Sequence, residues 1–74
     1  MKRYRNLDGH SGATAYECGD GFIRIRFVNG ETYEYTDEIT GRAHVANMQK
    51  LAQAGLGLAT YVSRFVHDAY AHKL

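Results

Sequence analysis

Proline and tryptophan are missing from the sequence, and cysteine occurs only once, as Cys18. One cysteine cannot form a disulfide within the chain, which excludes a disulfide-stapled scaffold and fits a reducing compartment. Nine basic against eight acidic residues leave a net charge of +1, which is too small to indicate a nucleic-acid or membrane partner by itself. No apolar run approaches the roughly 18 residues of a membrane-spanning helix, and the basic start lacks the apolar run of a signal peptide. We therefore expect a cytoplasmic protein without a membrane partner.

The remaining composition is that of a small globular domain. Hydrophobic residues make up 45% of the 74 positions, as in ordinary globular proteins. A chain of this length buries roughly 60% of its unfolded surface, so it forms a single core with little margin. No glycine-rich phosphate loop, nucleophile motif or pair of catalytic carboxylates is visible. The sequence predicts one domain that is not an enzyme and has no cofactor.

Hydrophobic spacing divides the chain into strands followed by helices. Between residues 13 and 36, β-branched and aromatic residues alternate in three segments, which predicts three strands. Beyond Thr40 the spacing becomes helical, and it predicts one helix over 40–54 and a second over 58–71. Residues 1–12 are expected to form an N-terminal arm. The predicted fold class is α+β: a three-stranded antiparallel meander with two C-terminal helices packed on one face.

The register of the meander follows from its turns. A two-residue turn at Asp20-Gly21 and a three-residue loop at 28–30, with Gly30 at the bulge position, keep apolar and charged residues on separate faces. A two-residue Asn29-Gly30 loop would mix them. The face predicted to lie under the helices carries Thr14, Tyr16, Cys18, Ile23, Ile25, Phe27, Tyr33 and Tyr35. The opposite face carries a charged ladder and small residues, namely Glu17, Arg24, Glu34, Ala13, Ala15, Arg26, Thr32 and Thr36.

Three short motifs give the chain a family resemblance. Tyr33-Glu34-Tyr35 follows an Asn-Gly turn and an alternating strand, Ser11 and Tyr16 precede the first turn, and a Gly followed by aromatic and aliphatic residues occupies 57–62. In this order and spacing, over residues 11–66, they resemble the KTSC domain. That short bacterial module is named for its occurrence at the C-terminus of some lysyl-tRNA synthetases, and it also occurs alone.

The resemblance implies a binding module, with RNA as the ligand that the synthetase connection suggests. The sequence departs from the family in having Gly12 where Asn is frequent and in lacking proline after the tyrosine pair. These departures leave the fold in place and weaken the transfer of function at those two positions.

Two groups of residues are candidates for contacting RNA. Tyr33 and Tyr35 have the alternate spacing with which strand aromatics stack bases, although the register above favours their burial under the helices. Basic residues near the N-terminus, together with arginines elsewhere, can contact phosphates, or they can be ordinary solvated charges. The candidate nucleic-acid-binding residues are Lys2, Arg3, Arg5, Arg24, Arg26, Tyr33, Tyr35 and Arg64.

The alternative hypothesis is a protein-interaction or self-association module that acts through the sheet edges. In a three-stranded meander the first and third strands are both edges, and a second copy or a peptide can pair with either one. A metal site is not expected. His67 and His72 are five residues apart, which places them off a common helical face, while His10 and His44 have no ligand-spaced partner.

Overall fold

The computed structural model describes residues 1–7, 9 and 11–74, so Asp8 and His10 lie outside the described part of the chain. Within it, short strands at both ends join the predicted meander and helices. The elements in chain order are β1 (Lys2–Arg3), β2 (Ala13–Gly19), β3 (Phe22–Phe27), β4 (Thr32–Thr36), α1 (Arg42–Ala54), α2 (Leu58–Tyr61), a π-helical turn (Val62–Val66) and β5 (His72–Lys73). None of these helices is long and apolar enough to cross a membrane.

The α+β class with an antiparallel sheet and two helical segments is confirmed, but the described sheet has five strands rather than three. Its order is β1-β2-β3-β4-β5, and each strand is antiparallel to its neighbour. The two additional strands have two residues each and pair through backbone groups. So short a strand leaves no alternating pattern in the sequence, and for this reason the prediction of a three-stranded sheet with free outer strands was wrong.

The predicted register of the three central strands is confirmed. The paired residues include Cys18 with Ile23, Tyr16 with Ile25, Glu17 with Arg24, Ile23 with Tyr35, Arg24 with Glu34 and Ile25 with Tyr33. At the second turn Phe27 N–H donates to the Glu31 carbonyl at 2.9 Å, and Gly30 adopts a left-handed φ of 85°. The loop therefore has three residues, and glycine occupies the position where a side chain would strain the backbone.

One position of the predicted register is wrong, at the start of β2. The pairing with β3 is irregular between Ala13 and Ala15. As a result, Ala13 is 1% exposed within the core, whereas Thr14 is exposed and donates its hydroxyl to the Arg26 carbonyl at 3.2 Å. A bulge of this kind inserts a residue and reverses the faces beyond it, and no glycine marks it in the sequence.

Glycines set both ends of α1. The helix follows Gly41, whose φ is 113°, and it ends at Gly55, whose φ is 75°. The Gly55 N–H donates to the carbonyls of Leu51 and Ala52, and the Leu56 N–H also donates to the Leu51 carbonyl. This left-handed cap satisfies carbonyls that the helix end would leave without a donor. The predicted helix, 40–54, begins two residues too early.

The second helical segment is shorter than the predicted helix over 58–71. The α-helical residues 58–61 continue into a wider π-helical turn, in which His67 N–H donates to the Val62 carbonyl at 2.6 Å. At His67 the backbone turns away with a φ of 31°. After Gly57 the chain contains neither glycine nor proline, so nothing in the sequence signals this end.

The helices cover one face of the sheet, here called the inner face; the uncovered side is the outer face. From α1, Gln49 donates its side-chain amide to the carbonyls of Gly19 and Phe22, which ties the first hairpin turn to the helix. In the second helical segment, the Tyr61 hydroxyl is hydrogen-bonded to Nδ1 of His44 on α1, with 2.7 Å between the two atoms. The buried hydrophobic residues are Tyr4, Ala13, Tyr16, Ile23, Ile25, Tyr35, Val45, Met48, Ala52, Leu58, Val62 and Val66.

Residues 2–4, which belong to the predicted N-terminal arm of residues 1–12, are instead built into the fold. Lys2 and Arg3 pair with β2, and Tyr4 is only 3% exposed. The Tyr4 hydroxyl accepts a hydrogen bond from Leu58 N–H at 3.2 Å, which satisfies an otherwise free donor in the first turn of α2. The side chain of Tyr4 therefore joins the first strand to the second helical segment.

Replacement of Tyr4 by alanine should lower the free energy of unfolding by about 3–5 kcal/mol, the range for a buried aromatic. Tyr4→Phe is the matched control, because it keeps the ring and removes only the acceptor of the Leu58 N–H, at a cost of about 1–3 kcal/mol. Urea denaturation followed by circular dichroism measures both. Wild-type stability in the alanine variant would show that residues 1–7 form a loose arm after all.

Replacement of Gly55 by alanine should be more destabilising than the same change at Gly30. Both glycines have left-handed φ values, 75° and 85°, which cost alanine roughly 1–2 kcal/mol. At Gly55 the added Cβ would lie 2.7 Å from the Cβ of Arg5, whereas nothing lies within 4 Å at Gly30. Chemical denaturation of the two variants measures the extra loss of stability caused by the contact with Arg5. Equal losses in the two variants would exclude a close approach of Arg5 to Gly55.

Candidate functional site

The structure places the predicted binding residues at five different places in the fold. On the outer face of the sheet lie three arginines, and on the inner side lie the two tyrosines. The other basic residues are found at the β1 edge, at the end of α1 and on the second helical segment. The eight residues therefore do not form one continuous site, and each group has to be assessed from its own contacts.

Arg24 is engaged in the charged ladder that the register predicted. Its Nε lies 2.7 Å from an oxygen of Glu34, and one of its terminal nitrogens lies 3.1 Å from Glu17. The guanidinium also covers the ring of Phe22, with 4.9 Å between the guanidinium carbon and the ring centroid. The hydrogen bonds that Arg24 donates to Glu34, and to a smaller extent to Glu17, raise the pKa of Arg24. Because two carboxylates compensate its charge, Arg24 is poorly placed to attract a phosphate.

Arg3 and Arg26 form the second group on the outer face, here called the outer-face arginine pair. Arg3 lies opposite Ala15 on the neighbouring strand, and Ala15 lies opposite Arg26 on the next one. Two strand spacings of about 4.8 Å put their backbones roughly 10 Å apart. Both side chains are exposed, and neither forms an ion pair with another described residue. The small methyl group of Ala15 leaves the space between them open.

The three remaining basic candidates have separate surroundings. Lys2 lies opposite Tyr16 at the inner side of the sheet edge. Arg5 donates to the Gln53 carbonyl in the last turn of α1, where a positive charge also suits the helix dipole. Arg64 is exposed on the π-helical turn, with its guanidinium carbon 5.7 Å from the ring centroid of Phe65. Lys2 is next to Arg3 in β1 but lies on the opposite face of the sheet, and Arg5 and Arg64 contact or lie on the helices, so none of the three extends the outer-face arginine pair.

The tyrosine pair divides between the core and a surface groove. Tyr35 is 1% exposed and belongs to the core, as the register predicted. Tyr33 is half-buried, and its hydroxyl donates to a carboxylate oxygen of Glu31. Glu31 also pairs with Lys73 of β5, with 3.2 Å between the ammonium and the carboxylate. Tyr33, unlike Tyr35, is therefore still accessible to a ligand.

Tyr33 borders a groove of about 410 Å³ between the sheet and the second helical segment. Its ring centroid lies 4.7 Å from that of Tyr70 and 5.8 Å from that of Phe27. Aromatic and aliphatic side chains line most of the groove, together with hydroxyl, imidazole and carboxylate groups. The lining residues are Phe27, Tyr33, Tyr35, Ala59, Val62, Ser63, His67, Asp68 and Tyr70.

Sequence reasoning missed the part of the groove contributed by residues 63–70. The spacing of Leu58, Val62, Val66 and Ala69 suits a continuous helix, and the helix predicted over 58–71 includes Tyr70. The turn at His67 instead brings Tyr70 back against the rings of Tyr33 and Tyr35, and β5 then pairs with β4. A backbone turn at a residue other than glycine leaves no compositional signal.

The remaining titratable side chains do not assemble into a metal centre within the described part of the chain. Cys18 is a half-buried free thiol on the inner face; burial raises its pKa, and the nearby charge of Lys2 partly offsets this. His67 lies at the end of the helical segment, and His72 lies on β5 with its Nε2 4.0 Å from Glu34. His10, considered above as a ligand, is outside the described residues.

The residues that carry the family resemblance contribute to the fold through hydrogen bonding, burial or backbone conformation. The Ser11 hydroxyl accepts a hydrogen bond from Ala13 N–H at 3.1 Å, Tyr16 is buried, and Gly57 has a left-handed φ of 79° before α2. Comparison of the chain with protein-family models, curated proteins and solved structures gives no match. The assignment of a site therefore rests on the geometry of this chain.

The buried hydroxyl of Tyr35 should make stability depend on alkaline pH. Burial, with smaller contributions from Tyr33 and Tyr70, raises the pKa of Tyr35 to about 12, whereas an unfolded tyrosine ionises near pH 10. The resulting contribution is fully present below about pH 10 and is lost as pH rises towards 12. Tyr35→Phe, which keeps the ring, should flatten this decline in denaturation curves measured between pH 9 and 12. Identical declines in the two proteins would contradict the assignment.

Proposed function

We propose that the chain is a small binding module, similar to a KTSC domain, that binds single-stranded RNA through the outer face of its sheet. Phosphate contacts supply most of the affinity of such modules, and they require accessible cationic side chains. The outer-face arginine pair carries the proposal. It offers two exposed guanidinium groups on the strands that flank β2, with no carboxylate paired to either among the described residues.

The rigidity of the arginine pair favours this surface over the other basic residues. Arg26 lies on β3, the central strand of the sheet. The backbone of Arg3 is held in place because β1 pairs with β2, where Arg3 lies opposite Ala15. Tyr4, the next residue, is anchored in the core. Neither guanidinium therefore requires the ordering of a disordered arm on binding, which lowers the entropic cost of each contact. In this proposal Arg24 maintains the sheet surface and does not contact the phosphates.

RNA is preferred to other polyanions because of the family resemblance, in which the connection with a tRNA synthetase suggests this ligand. Base readout from the outer face would be limited, since Phe22 is the only aromatic residue of the three central strands that projects there, and Arg24 covers its ring. We therefore expect binding that depends on the phosphate backbone and tolerates changes of sequence.

Self-association through the sheet edges remains the second candidate function, with a changed geometry. β2 and β4 are not free edges, because β1 and β5 pair with them. The outermost strands within the described residues have two residues each, and such short edges discourage pairing with another chain. A peptide or second copy that used β2 or β4 would have to displace a terminal strand.

The test is a titration of the ¹⁵N-labelled protein with a short single-stranded RNA at 50 and 200 mM salt. The double variant Arg3→Ala/Arg26→Ala should bind much more weakly. The slope of log K against log salt should fall by about 1.4, which is 0.7 for each lost phosphate contact on a single strand. Arg42→Ala/Lys50→Ala is the matched control, because it removes the same charge from exposed positions of α1. It should keep nearly wild-type binding.

Three results would count against the proposal. Equal losses in the two double variants would mean that only overall charge matters. Absence of chemical-shift changes at both salt concentrations would exclude RNA binding. Concentration-dependent changes without RNA that persist at high salt would instead favour self-association, because strand pairing depends little on ionic strength.

A further inference from the structure

The groove beside Tyr33 combines aromatic rings with an uncompensated carboxylate. Tyr33 and Tyr70 are tilted by 52° to each other, and Phe27 meets Tyr33 edge-on with an interplanar angle of 64°. Asp68 lines the same groove, is exposed, and forms no ion pair with another described residue. A ligand there would meet ring surfaces and one full negative charge.

A second carboxylate strengthens the cation preference of the groove. The hydroxyl of Tyr33 donates to Glu31, and a hydrogen bond to a carboxylate increases the electron density of a phenol ring. The same contact is the largest cause that raises the pKa of Tyr33. The ammonium of Lys73 already lies 6.0 Å from the centroid of this ring, within the range of a cation–π interaction.

Of the cationic side chains, a guanidinium suits this combination best. It is flat and weakly hydrated, so it stacks on aromatic rings, and its paired N–H groups match the two oxygens of a carboxylate. A lysine ammonium lacks the planar shape, and a phosphate or an acidic side chain would be repelled by Asp68. A neutral nucleobase could stack on the rings but would leave the Asp68 charge without a counter-ion.

We propose that this groove binds an arginine side chain of a partner protein, packed against the aromatic cluster of Tyr33 and Tyr70 and paired with Asp68. The site is independent of RNA binding, because it lies on the inner side of the sheet and shares no residue with the outer-face arginine pair. His67 and Ser63 also line the groove and can accept hydrogen bonds from guanidinium nitrogens that are not paired with Asp68.

The probe is N-acetyl-arginine amide, titrated into the ¹⁵N-labelled full chain at low ionic strength. We expect chemical-shift changes at residues 63–70 and at Tyr33, with much weaker binding of N-acetyl-citrulline amide, which has a similar shape but no charge. N-acetyl-lysine amide should bind more weakly than the arginine compound. Asp68→Asn should weaken arginine binding about tenfold, as the loss of one charge-assisted contact predicts.

Glu38→Gln is the matched control, since it neutralises an exposed carboxylate that does not line this groove. It should leave arginine binding unchanged. Asp68 makes no ion pair with the rest of the described chain, so its asparagine variant should fold, and the amide spectrum confirms this directly. Equal binding of the arginine and citrulline compounds, or an unchanged affinity in Asp68→Asn, would overturn the proposal. Stronger shifts with cytidine or guanosine than with the arginine compound would instead assign the groove to a nucleobase.

Discussion

The register of the two central hairpins controls how the side chains of this protein are divided between its core and its surface. With Ile23 and Ile25 facing the helices, Arg24 and Arg26 must face the other way, because successive residues of a strand alternate. A shift by one residue would bury the arginines and expose both isoleucines, which are fully buried here. The apolar core and the cationic outer face therefore have the same structural origin.

The small size of the chain explains why its ends are used in the sheet. Two helical segments cover one face only, and a three-stranded sheet under them would have two exposed edges and a thin core. β1 and β5 reduce both problems. β1 precedes Tyr4, which reaches the second helical segment, and β5 follows Tyr70, which packs against Tyr33 and Tyr35. The edge strands thus bring two aromatic side chains to the core and its border.

The sequence was informative where side-chain pattern and glycine position determine the structure. Alternation and the two turns predicted the central register, and Gly55 predicted the end of α1, because both depend on features that are visible in composition. The terminal strands, the bulge beside Thr14 and the turn at His67 depend on backbone hydrogen bonds made by ordinary residues. The candidate sites could not be predicted in full for the same reason, because they depend on backbone pairing that has no side-chain pattern. Arg3 and Arg26 were identified individually, but their proximity needed β1, and the groove needed the turn at His67.

The two proposed binding surfaces have opposite local charge, and the sheet keeps them apart. The outer face presents two guanidinium groups that form no ion pair with a described carboxylate, whereas the groove on the inner side presents Asp68 beside aromatic rings. Side chains on opposite faces of a sheet project away from each other, and exposed charges are screened over a Debye length of about 8 Å at physiological ionic strength. The carboxylate of Asp68 therefore does little to repel a phosphate on the outer face. A near-neutral chain can in this way offer one surface to a polyanion and another to a cation, although its net charge of +1 indicates neither.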